Sequence, residues 1–197
     1  VKHATGPASP RRLPDGGRRA FVLGAPLAAL GCASAPPPGA PADWHEVALP
    51  GKLATRYRWE LKDGRRALAA HAERSASMWR RRLDVAPERV GEVAFSWWVE
   101  RLIDGASVAD VDREDAPARV LFGFGGDQAR LSPRARMMFD LAEALTGERP
   151  PFATLMYVWE TEAPVETVVV NPRTDRVRKI VLDSGPGELG RWRAPRD

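Results

Sequence analysis

The sequence contains very little cysteine and histidine, with one cysteine, Cys32, and three histidines in 197 residues. A single cysteine cannot form a disulfide within the chain or build a cysteine-rich metal site. After residue 42 the histidines are His45 and His71, so a zinc site could use at most two imidazoles, and a Ser-His-Asp triad would need one of them. We therefore expect no cofactor, and we expect both histidines to be structural or surface residues.

Long hydrophobic runs are also absent. The main uncharged apolar segment, 20–31, is shorter than the about 20 residues that span a bilayer, and it follows Arg18 and Arg19. A basic front before a short apolar core is typical of an export signal that is later removed. The two arginines followed by Phe21 resemble a bacterial twin-arginine signal. We predict that residues 1–31 are an export signal peptide.

The apolar segment ends on the only cysteine, in a run that resembles the lipobox of bacterial lipoproteins, Ala29-Leu30-Gly31-Cys32. The resemblance implies that Cys32 is lipidated, becomes the new N-terminus and anchors the protein to a membrane. Residues 32–42 are rich in proline and alanine, which suits a tether between membrane and domain. By analogy with lipoprotein sorting, Ala33 implies a periplasmic protein held at the outer membrane. Ordinary secretion with a stray cysteine is the first alternative, and a cytoplasmic protein is the second.

Excess positive charge is missing from the region after the signal. The whole chain has 30 basic and 26 acidic residues, a formal net charge of +4. Residues 1–31 hold five of the basic residues and one acidic residue, so residues 32–197 have equal numbers of each and no net charge. Binding to a phosphate backbone needs a positive excess, and we therefore expect no nucleic-acid partner.

Residues 43–197 are predicted to form one mainly β domain, an antiparallel, jelly-roll-like β-sandwich with one α-helix near 133–146. Short runs of β-branched and aromatic residues, bounded by turn residues, recur along this region. Residues 55–61 and 66–72 form a predicted hairpin around Asp63-Gly64, because glycine tolerates a positive φ. The strongest predicted strand, 93–102, places Trp97 and Trp98 on opposite faces. Further predicted strands are 77–85, 120–124, 153–159, 166–171 and 177–183.

The predicted helix has clear end signals. Ser132 can cap its start, Pro133 suits the first helical position, and Gly147 suits its end. An apolar stripe recurs at helical spacing. We expect this stripe to pack in the core, with a soft methionine binding surface as the alternative. Its members are Met137, Met138, Leu141, Ala144 and Leu145.

Several short motifs occur together in a recognisable order. They are Asp63-Gly64, Ser75-Ala76-Ser77, Phe95-Ser96-Trp97-Trp98-Val99, Asp115-Ala116-Pro117-Ala118-Arg119-Val120, Leu155-Met156-Tyr157-Val158-Trp159, Ile180-Val181-Leu182-Asp183-Ser184-Gly185 and Gly190-Arg191-Trp192. Their order and spacing resemble the bacterial domain of unknown function 3047 family over residues 43–197. The resemblance implies an exported β-sandwich protein and supplies no mechanism. The family continues past this point with further strands and an Asp-rich stretch, so we expect a shortened C-terminus and an exposed sheet edge.

Carboxylate side chains are the candidates for catalysis and for metal binding. Asp115, Glu160 and Glu100 lie beside predicted strand aromatics, and two of them converging across a cleft could hydrolyse glycosides. The alternative is that they are ordinary acids at strand ends. Asp110 and Asp112, at alternate positions, could hold Ca²⁺. The alternative there is a solvated loop in which Asp115 pairs with Arg119.

Aromatic residues are the candidates for binding. All seven tryptophans lie after residue 42, and exposed indole rings can stack on sugars. Trp98 and Trp97 are the main ligand-binding candidates, with Arg119 as a third. The favoured hypothesis is a non-catalytic binding or structural module of the cell envelope, for a polysaccharide or a partner protein. A carboxylate-dependent hydrolase acting on glycans is the alternative.

Overall fold

The computed structural model describes residues 43–172 and 174–195, all of which lie in one compact unit of the chain. The predicted export signal and the predicted tether, with Cys32, lie outside the described residues. Among the residues described, no helix has both the length and the apolar character needed to cross a bilayer.

Short strands provide most of the regular structure, and the β2–β3 hairpin shows how the sequence builds them. Asp63 and Gly64 have φ of 50° and 72° between the paired residues Lys62 and Arg65. Positive φ at both central residues is the requirement of a two-residue hairpin turn of type I′. The strands are β1 (His45–Ala48), β2 (Arg56–Lys62), β3 (Arg65–His71), β4 (Ser77–Arg80), β5 (Trp97–Trp98), β6 (Ala118–Phe124), β7 (Ala153–Glu160), β8 (Val168–Val170), β9 (Val177–Ser184) and β10 (Trp192–Arg193), and the helix is α1 (Pro133–Thr146).

The largest sheet has the order β6-β7-β9-β8. The β6–β7 and β8–β9 pairs are antiparallel, whereas β7 and β9 are parallel. Three two-stranded antiparallel sheets, β1–β4, β2–β3 and β5–β10, complete the described strands. The predicted mainly β fold with antiparallel sheets and one helix is confirmed, and the jelly-roll form stays a prediction.

The core lies on both faces of the large sheet. Successive side chains of a strand point to opposite faces, so alternate residues of β7 enter different clusters. One cluster contains Val108, Ala116, Met156, Val158 and Val181. The other contains Trp97, Val99, Tyr157 and Trp159. Both faces are therefore covered by segments outside the sheet, residues 106–116 on one and residues 93–102 on the other.

The predicted strand over 93–102 is wrong in its length, because β5 comprises Trp97–Trp98 alone. Val93, Phe95, Trp97 and Val99 nevertheless pack into one cluster, as their alternation predicted. Side-chain packing against the sheet holds this segment, rather than a long ladder of hydrogen bonds. β4 is also shorter than predicted and ends at Arg80.

The ends of α1 are as predicted, but its packing is not. Ser132 Oγ accepts a hydrogen bond from the Ala135 N–H at 3.2 Å, and Gly147 ends the helix with φ of 74°. No residue of the helix is buried. The large side chains of the apolar stripe are between 50 % and 68 % exposed, namely Met137, Met138, Leu141 and Leu145. The predicted core packing of the stripe is wrong, because other segments already cover both faces of the large sheet.

Candidate functional site

Two tryptophans from distant parts of the chain meet at the surface. Trp98 of β5 lies opposite Trp192 of β10 in their antiparallel pair. The two rings are 5.9 Å apart between centroids and meet edge to face at 73°. Both residues are half-buried, whereas Trp97 beside them is buried. The edge-to-face geometry is one that aromatic pairs prefer, so the pair forms a firm apolar platform.

Two cations from the tip of the β2–β3 hairpin lie on this platform. Lys62 Nζ is 4.8 Å from the Trp98 ring centroid, and Arg65 Cζ is 4.4 Å from the Trp192 ring centroid. Trp192 Nε1 also donates a hydrogen bond to the Lys62 carbonyl oxygen at 3.0 Å. These distances are those of cation–π contacts. We call these four residues, Lys62, Arg65, Trp98 and Trp192, the tryptophan surface.

The cations of the tryptophan surface are free of carboxylate partners within the described residues. Arg65 donates to Ser96 Oγ at 3.1 Å. Trp98 Nε1 is buried from solvent and has no acceptor among the described residues, so it does not face a ligand. Like charges directly opposite each other on neighbouring strands repel, and Lys62 faces Arg65 in this way. An acceptor-rich ligand would relieve this repulsion, so the surface has the chemistry of a binding site for polar groups.

The protein surface beside the tryptophan surface is only shallowly concave. A groove of about 250 Å³ lies beside the surface, and its lining includes Arg65, Phe95 and Ser96. This volume is below the roughly 300–1,000 Å³ typical of enclosed small-molecule pockets. An open groove of this kind suits an extended ligand better than a small molecule that must be enveloped.

Trp97 has a different role from its neighbour. Its Nε1 donates to Asp183 Oδ2 at 2.8 Å, and Arg193 Nε donates to Asp183 Oδ1 at 3.0 Å. A register shift in the β7–β9 pair makes this possible, because Val158 faces Val181 but Trp159 faces Asp183. The extra residue in β9 is a bulge, which turns Asp183 toward the aromatic face. Trp97 thus belongs to the core.

The predicted catalytic acids lie in unlike environments. Glu160 is 0 % exposed and accepts hydrogen bonds from Ser107 Oγ at 2.6 Å and the Val108 N–H at 3.1 Å. Asp115 has a 59 % exposed side chain and pairs with Arg119 at 2.7 Å. Glu100 is exposed. Because Glu160 has no access to solvent, it does not face a ligand together with either of the others.

Glu160 instead helps to hold the segment that covers one face of the sheet. Its carboxylate binds the N–H of Val108, and Lys179 Nζ donates to the carbonyl oxygen of the same residue at 3.1 Å. Lys179 also pairs with Glu114 at 2.7 Å. Buried backbone groups need such partners, so these side chains have a structural role.

The carboxylate of one predicted calcium ligand, Asp110, is occupied by contacts within its own loop. Asp110 Oδ1 accepts from the Asp112 N–H at 2.9 Å, and Asp110 Oδ2 accepts from Arg113 Nε at 2.8 Å. The Arg113 hydrogen bond lowers the pKa of the Asp110 carboxyl below its usual value. In the part of the chain that the structure describes, no group of three or more His, Cys, Asp or Glu could hold a metal ion. The Asp115–Arg119 pair named in the solvated-loop interpretation is present, and the calcium hypothesis itself stays a prediction.

The sequence pattern indicated Trp98 as a candidate, but it did not indicate the other three residues of the tryptophan surface. Trp192 belongs to a two-residue strand, which has no periodicity to detect, and Lys62 and Arg65 flank a turn whose position was predicted. These segments lie far apart in the sequence, so no local pattern indicates that they are in contact.

The domain is therefore a mainly β module with an open aromatic and cationic surface. Residues 42–197 match a family described as Protein of unknown function (DUF3047), and the chain belongs to this family. Neither a curated protein nor a solved structure matches the chain.

Proposed function

We propose that the chain is an exported lipoprotein whose domain is a non-catalytic binding or structural module of the cell envelope. The support for its location is the sequence pattern of Arg18, Arg19 and the apolar segment that ends on Cys32. Acyl chains on Cys32 would hold the domain at the periplasmic side of the outer membrane. Mass spectrometry of the mature protein tests this directly, and an unmodified Cys32 thiol would contradict it.

The proposed ligand is an envelope polysaccharide, and the tryptophan surface is its proposed site. The observation that carries this is the pair of half-buried indoles, Trp98 and Trp192, with cations that have no carboxylate partner among residues 43–172 and 174–195. An indole ring offers an apolar face for the C–H face of a sugar, which would have to stack on a part of these rings that Lys62 and Arg65 do not cover. Lysine and arginine offer several N–H donors to hydroxyl or acidic oxygens.

A glycan array and affinity electrophoresis with envelope polysaccharides test the site. We expect Trp192→Ala to weaken binding by about tenfold or more, equivalent to about 1.4 kcal/mol. Trp44→Ala is the matched control, because Trp44 also lies under an arginine, Arg81, at 5.5 Å. The Lys62→Ala and Arg65→Ala variants remove donors without truncating a tryptophan. Wild-type binding in all three variants of the tryptophan surface would refute the site.

We favour binding over carboxylate-dependent hydrolysis. Glu160 is inaccessible, with Oε1 accepting hydrogen bonds from Ser107 and Val108 and Oε2 accepting from the Thr161 N–H, and Asp115 is held by Arg119. Neither carboxylate is arranged as a general acid in a water-filled cleft. Turnover of a glycan by the wild-type chain that is abolished in Asp115→Asn would reverse this preference.

A further inference from the structure

The β2–β3 hairpin concentrates positive charge. Residues 56–71 hold five basic and two acidic side chains, whereas residues 32–197 as a whole have no net charge. The hairpin therefore has three more basic than acidic residues, and the rest of residues 32–197 has three more acidic than basic ones. A concentration of one sign of charge in an otherwise neutral domain attracts ligands of the opposite sign.

One face of the hairpin carries most of this charge. Directly opposite residues of an antiparallel pair point to the same side of a sheet, and alternate residues of a strand share that side. The even-numbered residues of β2 therefore lie together with their partners on β3. They are Arg56 with His71, Arg58 with Ala69, Glu60 with Ala67, and Lys62 with Arg65. This face holds four lysine or arginine side chains and one carboxylate, and we call Arg56, Arg58, Lys62 and Arg65 the basic face.

Most cations of the basic face have no acidic partner. Glu60 pairs with Arg58 at 2.8 Å, so the single carboxylate of this face is already engaged. Arg56, Lys62 and Arg65 form no ion pair with a carboxylate in the part of the chain that the structure describes. The Arg58 side chain is 77 % exposed, and Arg56 is also exposed. An acidic group on a ligand would therefore meet several N–H donors along this face.

The basic face continues the tryptophan surface along β2. Lys62 and Arg65 belong to both surfaces at the tip of the hairpin, and Arg58 and Arg56 lie further along the same side of the strand. At a rise of about 3.4 Å per residue, Lys62 and Arg56 are about 20 Å apart. Arg58 and Glu60 face only alanines across the hairpin, so no long side chain on β3 interrupts the row between them. The combined surface suits an extended chain that carries acidic groups at intervals.

We propose that the ligand of the tryptophan surface is an acidic polysaccharide, whose carboxylate or phosphate groups bind along the basic face. The inference rests on the proposed function for the polysaccharide and adds the charge that this chain must carry. A neutral glycan would leave Lys62 and Arg65 opposite each other without a counter-charge. Carboxylate and phosphate oxygens accept charge-assisted hydrogen bonds, which are stronger than those that neutral hydroxyl groups accept.

Isothermal titration calorimetry of the full chain tests the proposal with two probes of the same backbone. Polygalacturonate carries a carboxylate on every sugar, and its methyl ester is uncharged. We expect polygalacturonate to bind at least about tenfold more tightly at low salt, and we expect the difference to shrink as the salt concentration rises, because salt screens exposed charges. Phosphorylated dextran, compared with unmodified dextran, measures the same preference for phosphate, and the acidic probe that binds more tightly identifies the acidic group.

The double variant Arg56→Gln with Arg58→Gln shortens the basic face and keeps all four residues of the tryptophan surface. We expect it to weaken polygalacturonate binding by about threefold to tenfold, and to weaken binding of the methyl ester less. The matched control is Arg134→Gln with Arg178→Gln, which makes the same change in net charge at exposed arginines outside the hairpin. Circular dichroism checks that each variant is folded.

Three results would overturn the proposal and leave the proposed function standing. The first is equal affinity for each acidic probe and its neutral counterpart, and the second is an equal loss of binding in the hairpin and control variants. The third is binding of polyglutamate or oligothymidylate as tight as that of the acidic glycans, which would make the basic face a site for any polyanion. Absence of binding to every glycan would instead refute the proposed function together with this inference.

Discussion

The ion pair between Lys179 and Glu114 allows a direct test of how residues 106–116 are held against the large sheet. Lys179 is 1 % exposed and Glu114 is 22 % exposed, with 2.7 Å between Nζ and Oε1. The perturbation is Glu114→Gln, which keeps the size of the side chain and removes its charge. The ammonium group would then stay buried against the Val108 carbonyl oxygen without the carboxylate that now pairs with it.

The expected loss in the free energy of unfolding follows from the ammonium group that is left without its partner. Removing one partner of a fully buried pair costs roughly 3–5 kcal/mol. Because Glu114 is partly exposed, water reduces the loss, and we expect the free energy of unfolding to fall by about 2–4 kcal/mol. In a domain of this size, each kcal/mol corresponds to about 2–4 °C in Tm.

Urea unfolding followed by tryptophan fluorescence measures the effect. Glu60→Gln is the control, since the Arg58–Glu60 pair is at the surface and should cost less than about 1 kcal/mol. The double variant Glu114→Gln with Lys179→Met also removes the buried ammonium group, and we expect it to be no less stable than Glu114→Gln alone. If Glu114→Gln costs no more than Glu60→Gln, the reasoning about a buried charge is refuted.

Three further predictions concern separate parts of the domain. Burial raises the pKa of the Tyr57 phenol above 10.0, so this group loses its proton at a lower pH in the unfolded chain than in the folded one. The free energy of unfolding, measured in urea, should therefore fall as the pH rises from about 10. Tyr57→Phe should reduce that fall. Gly126→Ala would place its Cβ 2.5 Å from the Phe152 ring, and we expect it to lower the free energy of unfolding in urea by about 1–3 kcal/mol. Gly125→Ala, which has open space around its Cβ, is the control and should lower it by less than about 0.5 kcal/mol. Added Ca²⁺ should leave Tm unchanged in thermal unfolding, because both Asp110 oxygens already accept hydrogen bonds; a clear rise in Tm would contradict this.

The parts of the fold that sequence reasoning predicted are those decided by neighbouring residues. The turn at Asp63-Gly64 follows from backbone conformations that these residue types tolerate. The ends of α1 follow from Ser132 and Gly147, which satisfy backbone groups within one turn of themselves. The shared face of residues 93–99 follows from alternation along an extended chain.

The predictions that failed required knowledge of what lies opposite an element. The apolar stripe of α1 has the pattern of a core helix, yet Leu141 and Leu145 are exposed because other segments already cover the large sheet. The strand at 93–102 has strong alternation, but β5 stops after two residues. The single-residue bulge that brings Asp183 to Trp97 is equally invisible in a pattern of period two.

By itself, the sequence determined the mainly β character of the domain, its hairpin and the two ends of its helix. Tertiary structure alone decided that Trp98, Trp192, Lys62 and Arg65 share one surface, and that Glu160 is sealed under residues 107–108. The physical reason is the separation in sequence over which each kind of interaction acts. Turns and caps are settled by hydrogen bonds and φ angles over a few residues, whereas contacts between distant segments depend on how all the apolar faces are buried together.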